Sequence, residues 1–283
     1  VIPTSSVWTS ISLLLTTIVL QSCSSMSIGN IGQQTVTEVN KSVTYTDTKS
    51  QQKDNLPVAE IARQVTVRVL AASGSGSGVI VARKGKTYTV LTCQHVLDVD
   101  KGSKYSILSA DGKTYQARLK SMSNPKKVDL ALIEFDSQND YKVVTLGNSN
   151  LLTNDSPVFA AGFPNYHTVS KDEIEDTREW GTKAFTFTDG KVSMVLKDKS
   201  LPDGYSFGYT NDVKVGMSGG PVLNVKGELV GINGRLKFPI QGIEVFTFTD
   251  GSKPSQEIFE QMEPLSWAIP IVVFRQLAEK SLH

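Results

Sequence analysis

Gly216-Met217-Ser218-Gly219-Gly220-Pro221-Val222 is the stretch on which the reading of this chain turns. Three glycines around one serine imply a backbone that turns sharply and admits close approach, since glycine alone carries no Cβ penalty there. A serine hydroxyl is a poor nucleophile. It needs a neutral imidazole to take its proton, a carboxylate to hold that imidazole, and backbone N–H groups to receive a developing oxyanion. Two further stretches offer the first two groups: Leu91-Thr92-Cys93-Gln94-His95-Val96 and Val128-Asp129-Leu130-Ala131-Leu132. In chain order the candidates run His95, Asp129, Ser218, with the N–H groups of Gly216 and Ser218 as the expected oxyanion donors.

Elimination supports each choice. The chain has three histidines: His283 is its last residue, and His167 sits in a polar Pro164-Asn165-Tyr166-His167-Thr168 turn, which leaves His95 as general base. Asp129 reads as interrupting an apolar strand from Val128 to Phe135. An unpaired carboxylate there is costly, and the Nδ1–H of His95 would give it a partner and fix the tautomer. Asp98, Asp100 and Glu134 are the alternatives, in loops or on the expected outer face. The serine stretch also satisfies G-x-S-x-G, but that nucleophile elbow needs an acid and then a histidine after the serine. Only the terminal His283 follows, so the elbow reading fails.

Around these motifs lie short β-branched segments with period-two alternation, separated by Gly, Asp, Asn and Ser. A first series covers Gln64–Ala71, Gly76–Ala82, Thr87–Thr92, Lys104–Leu108, Tyr115–Lys120 and Val128–Phe135, with turns at Lys84-Gly85-Lys86 and Asp111-Gly112. A second covers Ser156–Ala161, Lys183–Thr188, Lys191–Leu196, Tyr205–Tyr209, Pro221–Asn224, Glu228–Gly234, Glu244–Phe248 and Leu265–Ile269. Phe185-Thr186-Phe187-Thr188-Asp189-Gly190 recurs as Phe246-Thr247-Phe248-Thr249-Asp250-Gly251, which predicts two similar hairpins. Ile269–Lys280 has helical spacing. The prediction is an all-β chain of two six-stranded antiparallel barrels with a C-terminal helix.

On these pieces, with Gly76-Ser77-Gly78-Val79-Ile80 and Gly227-Glu228-Leu229-Val230-Gly231-Ile232 added, the chain resembles the trypsin-like peptidases of the chymotrypsin clan. It is most similar to bacterial HtrA/Deg-like and cyanobacterial trypsin-like exported proteases. The resemblance covers roughly residues 59 to 270. It implies a two-barrel fold, endopeptidase activity on polypeptide without a cofactor, and His95, Asp129 and Ser218 as catalytic residues. Cys93-Gln94 departs from the small residues usual before the histidine. Only 65 residues follow Ser218, so no PDZ domain is expected. Asp212, six residues before Ser218, stands where enzymes that cut after Lys or Arg carry a specificity acid, although a charge in a solvated loop is the simpler reading of it. A rival reading from another class is a catalytically silent protease-like scaffold that holds peptides at the cell surface.

The bulk properties narrow the field. Of 283 residues 39% are apolar, and 29 Lys plus Arg nearly cancel 28 Asp plus Glu, so no strong field favours nucleic acid. Gly85-Lys86-Thr87 lacks the upstream glycine of a phosphate loop, where Ile80 stands, and neither HExxH nor CxxC occurs, so no nucleotide and no catalytic metal is expected. The apolar run Val7–Leu20 is too short to span a bilayer and suits the core of an export signal over 1–22. Leu20-Gln21-Ser22-Cys23 resembles a lipobox, with Cys23 lipidated, the protein anchored to the membrane, and a bacterial periplasmic or cell-surface location. Cys93, the only other cysteine, is then a buried small hydrophobe. Residues 23–57 read as a flexible polar linker and 58–283 as the protease domain, its first barrel about 58–138 and its second about 139–283.

Overall fold

Both predicted barrels close. A computed structural model describes residues 50–72, 74–98, 104–124, 127–171 and 173–280. Strands β1 (Thr66–Leu70), β2 (Ser75–Lys84), β3 (Thr87–Thr92), β4 (Tyr105–Leu108), β5 (Thr114–Lys120) and β6 (Ala131–Asp136) form the first barrel, in the order β1-β2-β3-β6-β5-β4. The register Arg68↔Leu108 to Leu70↔Ser106 between β1 and β4 shuts it. Strands β7 (Pro157–Gly162), β10 (Thr186–Val195), β11 (Phe207–Tyr209), β12 (Pro221–Leu223), β13 (Leu229–Arg235) and β14 (Ser266–Pro270) form the second. Between β7 and β10 a hairpin of β8 (Tyr166–Ser170) and β9 (Glu173–Asp176) stands apart from both. Renumbered in chain order within each barrel, both sheets read 1-2-3-6-5-4, so one topology is used twice. Closure removes the exposed strand edges that invite pairing with other chains.

Nearly continuous buried runs along the strands fill the barrels. In β3, Tyr88, Val90 and Leu91 are buried, and Tyr88 stacks on Phe135 of β6 at 5.2 Å between ring centroids. Burying such an aromatic pair adds about 0.5–1.5 kcal/mol beyond its area term. Phe207, Tyr209 and Trp267 fill the second barrel. Gly85 (φ 62°) and Gly112 (φ 81°) make the two turns expected from the sequence.

Five elements depart from expectation. Helix α1 (Ser50–Val65) precedes β1, so the expected boundary at 57/58 lies inside a helix that buries Val58, Ala62 and Val65. The two predicted strands Lys183–Thr188 and Lys191–Leu196 are one strand, β10, which runs straight through Asp189-Gly190. Gly190 is extended there and leaves room for the Asn211 side chain, which a Cβ would meet at 2.3 Å. The second copy of that motif follows a 3-10 helix, Gly242–Phe246, and turns at Gly251 (φ 83°), so the repeat makes no hairpin pair. Strand β9 (Glu173–Asp176), which the predicted strands did not include, is exposed along its whole length. A short helix α3 (Gln256–Met262), not predicted, is capped by the Ser255 hydroxyl accepting from Ile258 N–H. The closing helix α4 (Ile271–Lys280) follows β14 as predicted.

The two barrels meet through the segments that matter for the site. Ser77 N–H donates to the Ser218 carbonyl at 2.8 Å, and Ser77 Oγ donates to the Gly216 carbonyl at 2.8 Å while accepting from Phe163 N–H. Gly76 is obligatory at this seam, because a Cβ would lie 2.6 Å from Val96 and 3.2 Å from the Ser218 carbonyl. Residues 1–49 lie outside the described residues, as do the expected export signal and Cys23. No helix among the described residues is long and apolar enough to cross a membrane.

Candidate active site

Strand β3 ends at Thr92, and after Cys93 the chain enters the short helix α2 (Gln94–Asp98), which carries His95 at its second position. Val96 and Leu97 are buried and anchor this helix, so His95, with its side chain 48% exposed, is presented at the barrel rim. Asp129 is not within β6, as the apolar flanks suggested, but in the bend two residues before it. The loop is held rigidly: the Asn124 side chain brackets Val128 by accepting from its N–H (2.9 Å) and donating to its carbonyl (2.6 Å). Asp129 N–H donates to the Asp203 carbonyl of the second barrel at 2.9 Å.

These two elements bring acid and imidazole together. Asp129 Oδ2 lies 2.6 Å from His95 Nδ1, and Oδ1 accepts from the His95 backbone N–H at 2.9 Å. A third donor comes from the second barrel, where Tyr205 Oη donates to Asp129 Oδ2. Burial pushes the Asp129 carboxyl up, yet the His95 and Tyr205 hydrogen bonds and the pull of His95 outweigh it and leave its pKa below the usual carboxylate value. The acid is therefore an anion that accepts the Nδ1 proton and directs Nε2 outward. A cleft of about 730 Å³ opens beside it, lined by His95, Asp129, Tyr205, Gly234 and Arg235 among others.

Ser218 sits on the turn between β11 and β12, where Gly216 (φ 96°) and Gly219 (φ 85°) take the left-handed conformation. The turn is packed too tightly for any Cβ at Gly219, which would fall 2.1 Å from the Ser77 carbonyl. The Val215 carbonyl accepts from Asn165 N–H at 2.8 Å, which turns the Gly216 N–H to the opposite side of that peptide. Among the described residues, neither the Gly216 nor the Ser218 N–H has a hydrogen-bond partner, so both are available to an incoming oxygen. Ser218 Oγ makes a long bond to the Gly234 carbonyl at 3.4 Å and none to His95.

Asp212 is exposed, as a solvated loop acid would be: its side chain is 60% exposed and pairs with Lys237 at 3.0 Å. Two residues that the sequence reading did not single out, Tyr205 and Asn233, complete the site together with Cys93, which was expected only as a buried hydrophobe. Asn233 is a buried amide donating to the Met217 carbonyl (3.1 Å) while its backbone accepts from Gly219 N–H (2.8 Å), which braces the serine turn from β13. Its polarity within Val230-Gly231-Ile232-Asn233-Gly234 was the same signal that exposed Asp129. Cys93 is fully buried as expected, and its thiol donates to the Asn233 carbonyl at 3.3 Å and lies 3.8 Å from Tyr205 Oη. Burial, and then the Asp129 charge, push that thiol well above its ordinary pKa.

Residues 76–232 match the model of the trypsin-like peptidase domain. The chain belongs to that family. It is 31% identical over 199 residues to the serine protease Do-like HtrA of Bacillus subtilis (strain 168), covering 67% of this chain and 39% of that protein. It is 30% identical over 194 residues to a probable periplasmic serine endoprotease DegP-like of Marinomonas sp. (strain MWYL1), covering 68% of this chain and 36% of that one. This trypsin-like chain thus spans less than half the length of the relatives it matches. The crystal structure of Deg5 shares its fold, with a TM-score of 0.54 over 80% of this chain and 93% of that one at 21% identity.

Proposed function

We propose that the protein is a serine endopeptidase that cleaves polypeptides through an acyl-enzyme, with Ser218 as nucleophile, His95 as general base and then acid, and Asp129 as orienter. The observation that carries this reading is the two-point contact of Asp129 with His95 beside a glycine turn whose two free N–H groups flank Ser218. Attack of Oγ on a peptide carbonyl transfers its proton to His95 Nε2, and the imidazolium that forms is stabilised by the Asp129 carboxylate. The oxyanion is received by Gly216 and Ser218 N–H, a contribution of about 2.7–4 kcal/mol for one such donor in comparable sites. His95 then returns the proton to the leaving amine, and water repeats the cycle on the acyl-Ser218 ester. Family membership and the likeness to named serine proteases support the same chemistry. Export through residues 1–22 and lipidation at Cys23 belong to this reading, supported by the sequence pattern and by a relative named as periplasmic.

The bond of Ser218 Oγ to Gly234 rather than to His95 favours one rival, a silent peptide-binding scaffold. Fluorophosphonate labelling separates them. Labelling of the purified protein that is lost in both Ser218→Ala and His95→Ala supports the enzyme. A wild type that resists the reagent under all conditions while still binding peptides supports the scaffold.

A further inference from the structure

Cys93, His95 and Asp129 offer three different metal-binding atoms, Sγ, Nδ1 and a carboxylate oxygen, all within 4.8 Å of one another. Tetrahedral zinc with bonds of about 2.0–2.3 Å to nitrogen, oxygen and sulfur sets its ligands about 3.3–3.6 Å apart. The Nδ1 to Oδ2 separation of 2.6 Å need open by under about 1 Å to reach that spacing. Tyr205 Oη, 3.8 Å from Sγ and bonded to Asp129, borders the fourth position. Two of the three residues, His95 and Asp129, line the cleft, while Cys93 lies fully buried behind them.

We propose that this triplet is an inhibitory site for thiophilic divalent cations, zinc foremost, that disarms the catalytic imidazole from its inner face. The consequence for catalysis follows from tautomer arithmetic. A neutral imidazole has one lone pair and one N–H. Zinc on Nδ1 takes the lone pair, which places the proton on Nε2, and an Nε2–H cannot accept the proton of Ser218. Asp129 at the same time exchanges its hydrogen bond to Nδ1–H for the metal. The balance is simple: the imidazole proton moves from Nδ1 to Nε2 through solvent, the Cys93 thiol proton is released, and nothing is oxidised. A coordinating thiol loses its proton outright, which reverses the burial that otherwise keeps Cys93 neutral. The sulfur supplies the selectivity, because magnesium and calcium prefer oxygen ligands.

Metal binding stands on the geometry alone, whereas inhibition rests on the reading of His95 as base, and the experiment keeps the two apart. Cadmium is titrated into the purified full chain and into Ser218→Ala, Cys93→Ala and Cys93→Ser, following the cadmium–thiolate charge-transfer absorption. Fluorophosphonate labelling is then measured with zinc and again after chelation, each variant against its own metal-free rate, with circular dichroism to establish folding. Expected is a saturable one-equivalent thiolate band in the wild type and in Ser218→Ala, absent from both Cys93 variants. Zinc should stop labelling of the wild type, chelation should restore it, and the zinc needed for half-inhibition should rise in a folded Cys93 variant by at least the roughly 10–100-fold that loss of even an outer-shell partner costs. Absence of the band in the folded wild type overturns the site. A band without loss of labelling, or equal zinc sensitivity in Cys93→Ser, overturns the inhibition. A band in a wild type that never labels leaves the metal site standing and removes the protease reading instead.

Discussion

Tyr205→Phe removes one oxygen that bridges the two barrels at the candidate site. Its hydroxyl donates to Asp129 Oδ2, its ring is 1% exposed, and the Arg235 guanidinium lies 4.7 Å from the ring centroid, a contact that phenylalanine keeps. A hydrogen bond to a charged group contributes about 1.5–3 kcal/mol, so a central value near 2 kcal/mol lowers the melting temperature by roughly 4–8 °C in a domain of this size. The loss has a pH signature. Asp129 has a folded pKa below that of an unfolded aspartate, about 3.9, so as pH falls the unfolded chain takes up the proton first. Stability from Asp129 is therefore fully present above that value and is lost as pH falls through the lower folded one. Removing the Tyr205 donor raises the folded pKa toward the unfolded value. The variant should accordingly be weakest relative to wild type at neutral pH, and the gap should narrow as Asp129 becomes protonated, toward the ~1 kcal/mol of a neutral hydrogen bond. Urea unfolding of both proteins at pH 7 and at successively lower pH measures this. A destabilisation of the same size at every pH, or one below about 0.5 kcal/mol at pH 7, would refute the assignment of Tyr205 as a partner of the ionised acid.

Three further outcomes test the rest of the site. Gly219→Ala places a Cβ 2.1 Å from the Ser77 carbonyl at a φ of 85°, so it should abolish fluorophosphonate labelling and lower the melting temperature, and a labelling variant of normal stability would contradict the packing of the turn. Asn165→Ala deletes the acceptor of Ser75 Oγ (2.5 Å) and of the buried Arg68 (3.3 Å) beside Gly216; a cost of about 1.4 kcal/mol to the positioned turn slows labelling about tenfold, read directly from the time course. Asp212→Asn should leave the preference in a peptide-library digest unchanged and stability within about 0.5 kcal/mol, because the pair with Lys237 is exposed and screened; a lost preference for Lys or Arg would restore Asp212 as the specificity acid.

The two barrels were legible because short β-branched segments recur between turns marked by glycine, as at Gly85 and Gly112, whereas the shared strand order was not. What misled was local chemistry that tertiary packing overrode. Asp189-Gly190 reads as a turn, yet the glycine is there to admit Asn211 against an unbroken strand, a reason that lies more than twenty residues away and leaves no local trace. Asp129 illustrates both sides. A lone carboxylate among Val128, Leu130, Ala131 and Leu132 signalled a partnered acid, but the same apolar neighbours implied a strand, whereas the Asn124 bracket and Asp203 hold a bend. Asp129 itself follows from the cost of burying an unpaired charge, a rule that needs no partner to be named. Its bend depends on partners.

The distinction explains which site residues escaped the sequence. His95, Asp129 and Ser218 must each be chemically unusual in place, and such residues stand out in a one-dimensional pattern. Tyr205 and Asn233 are ordinary residues whose roles are created by tertiary packing, and Cys93 was legible only as a buried hydrophobe. Tyr205 lies 76 residues after the carboxylate it binds, and Cys93 lies 140 residues before the carbonyl that accepts from it. Their effect is nonetheless specific, because each polar group they satisfy is buried and would otherwise be costly. The second barrel thus carries more than Ser218. Through Asp203 and Tyr205 it holds the Asp129 bend and through Asn233 the serine turn, so a shift of one barrel against the other would change the placement of Ser218 relative to His95 and Asp129.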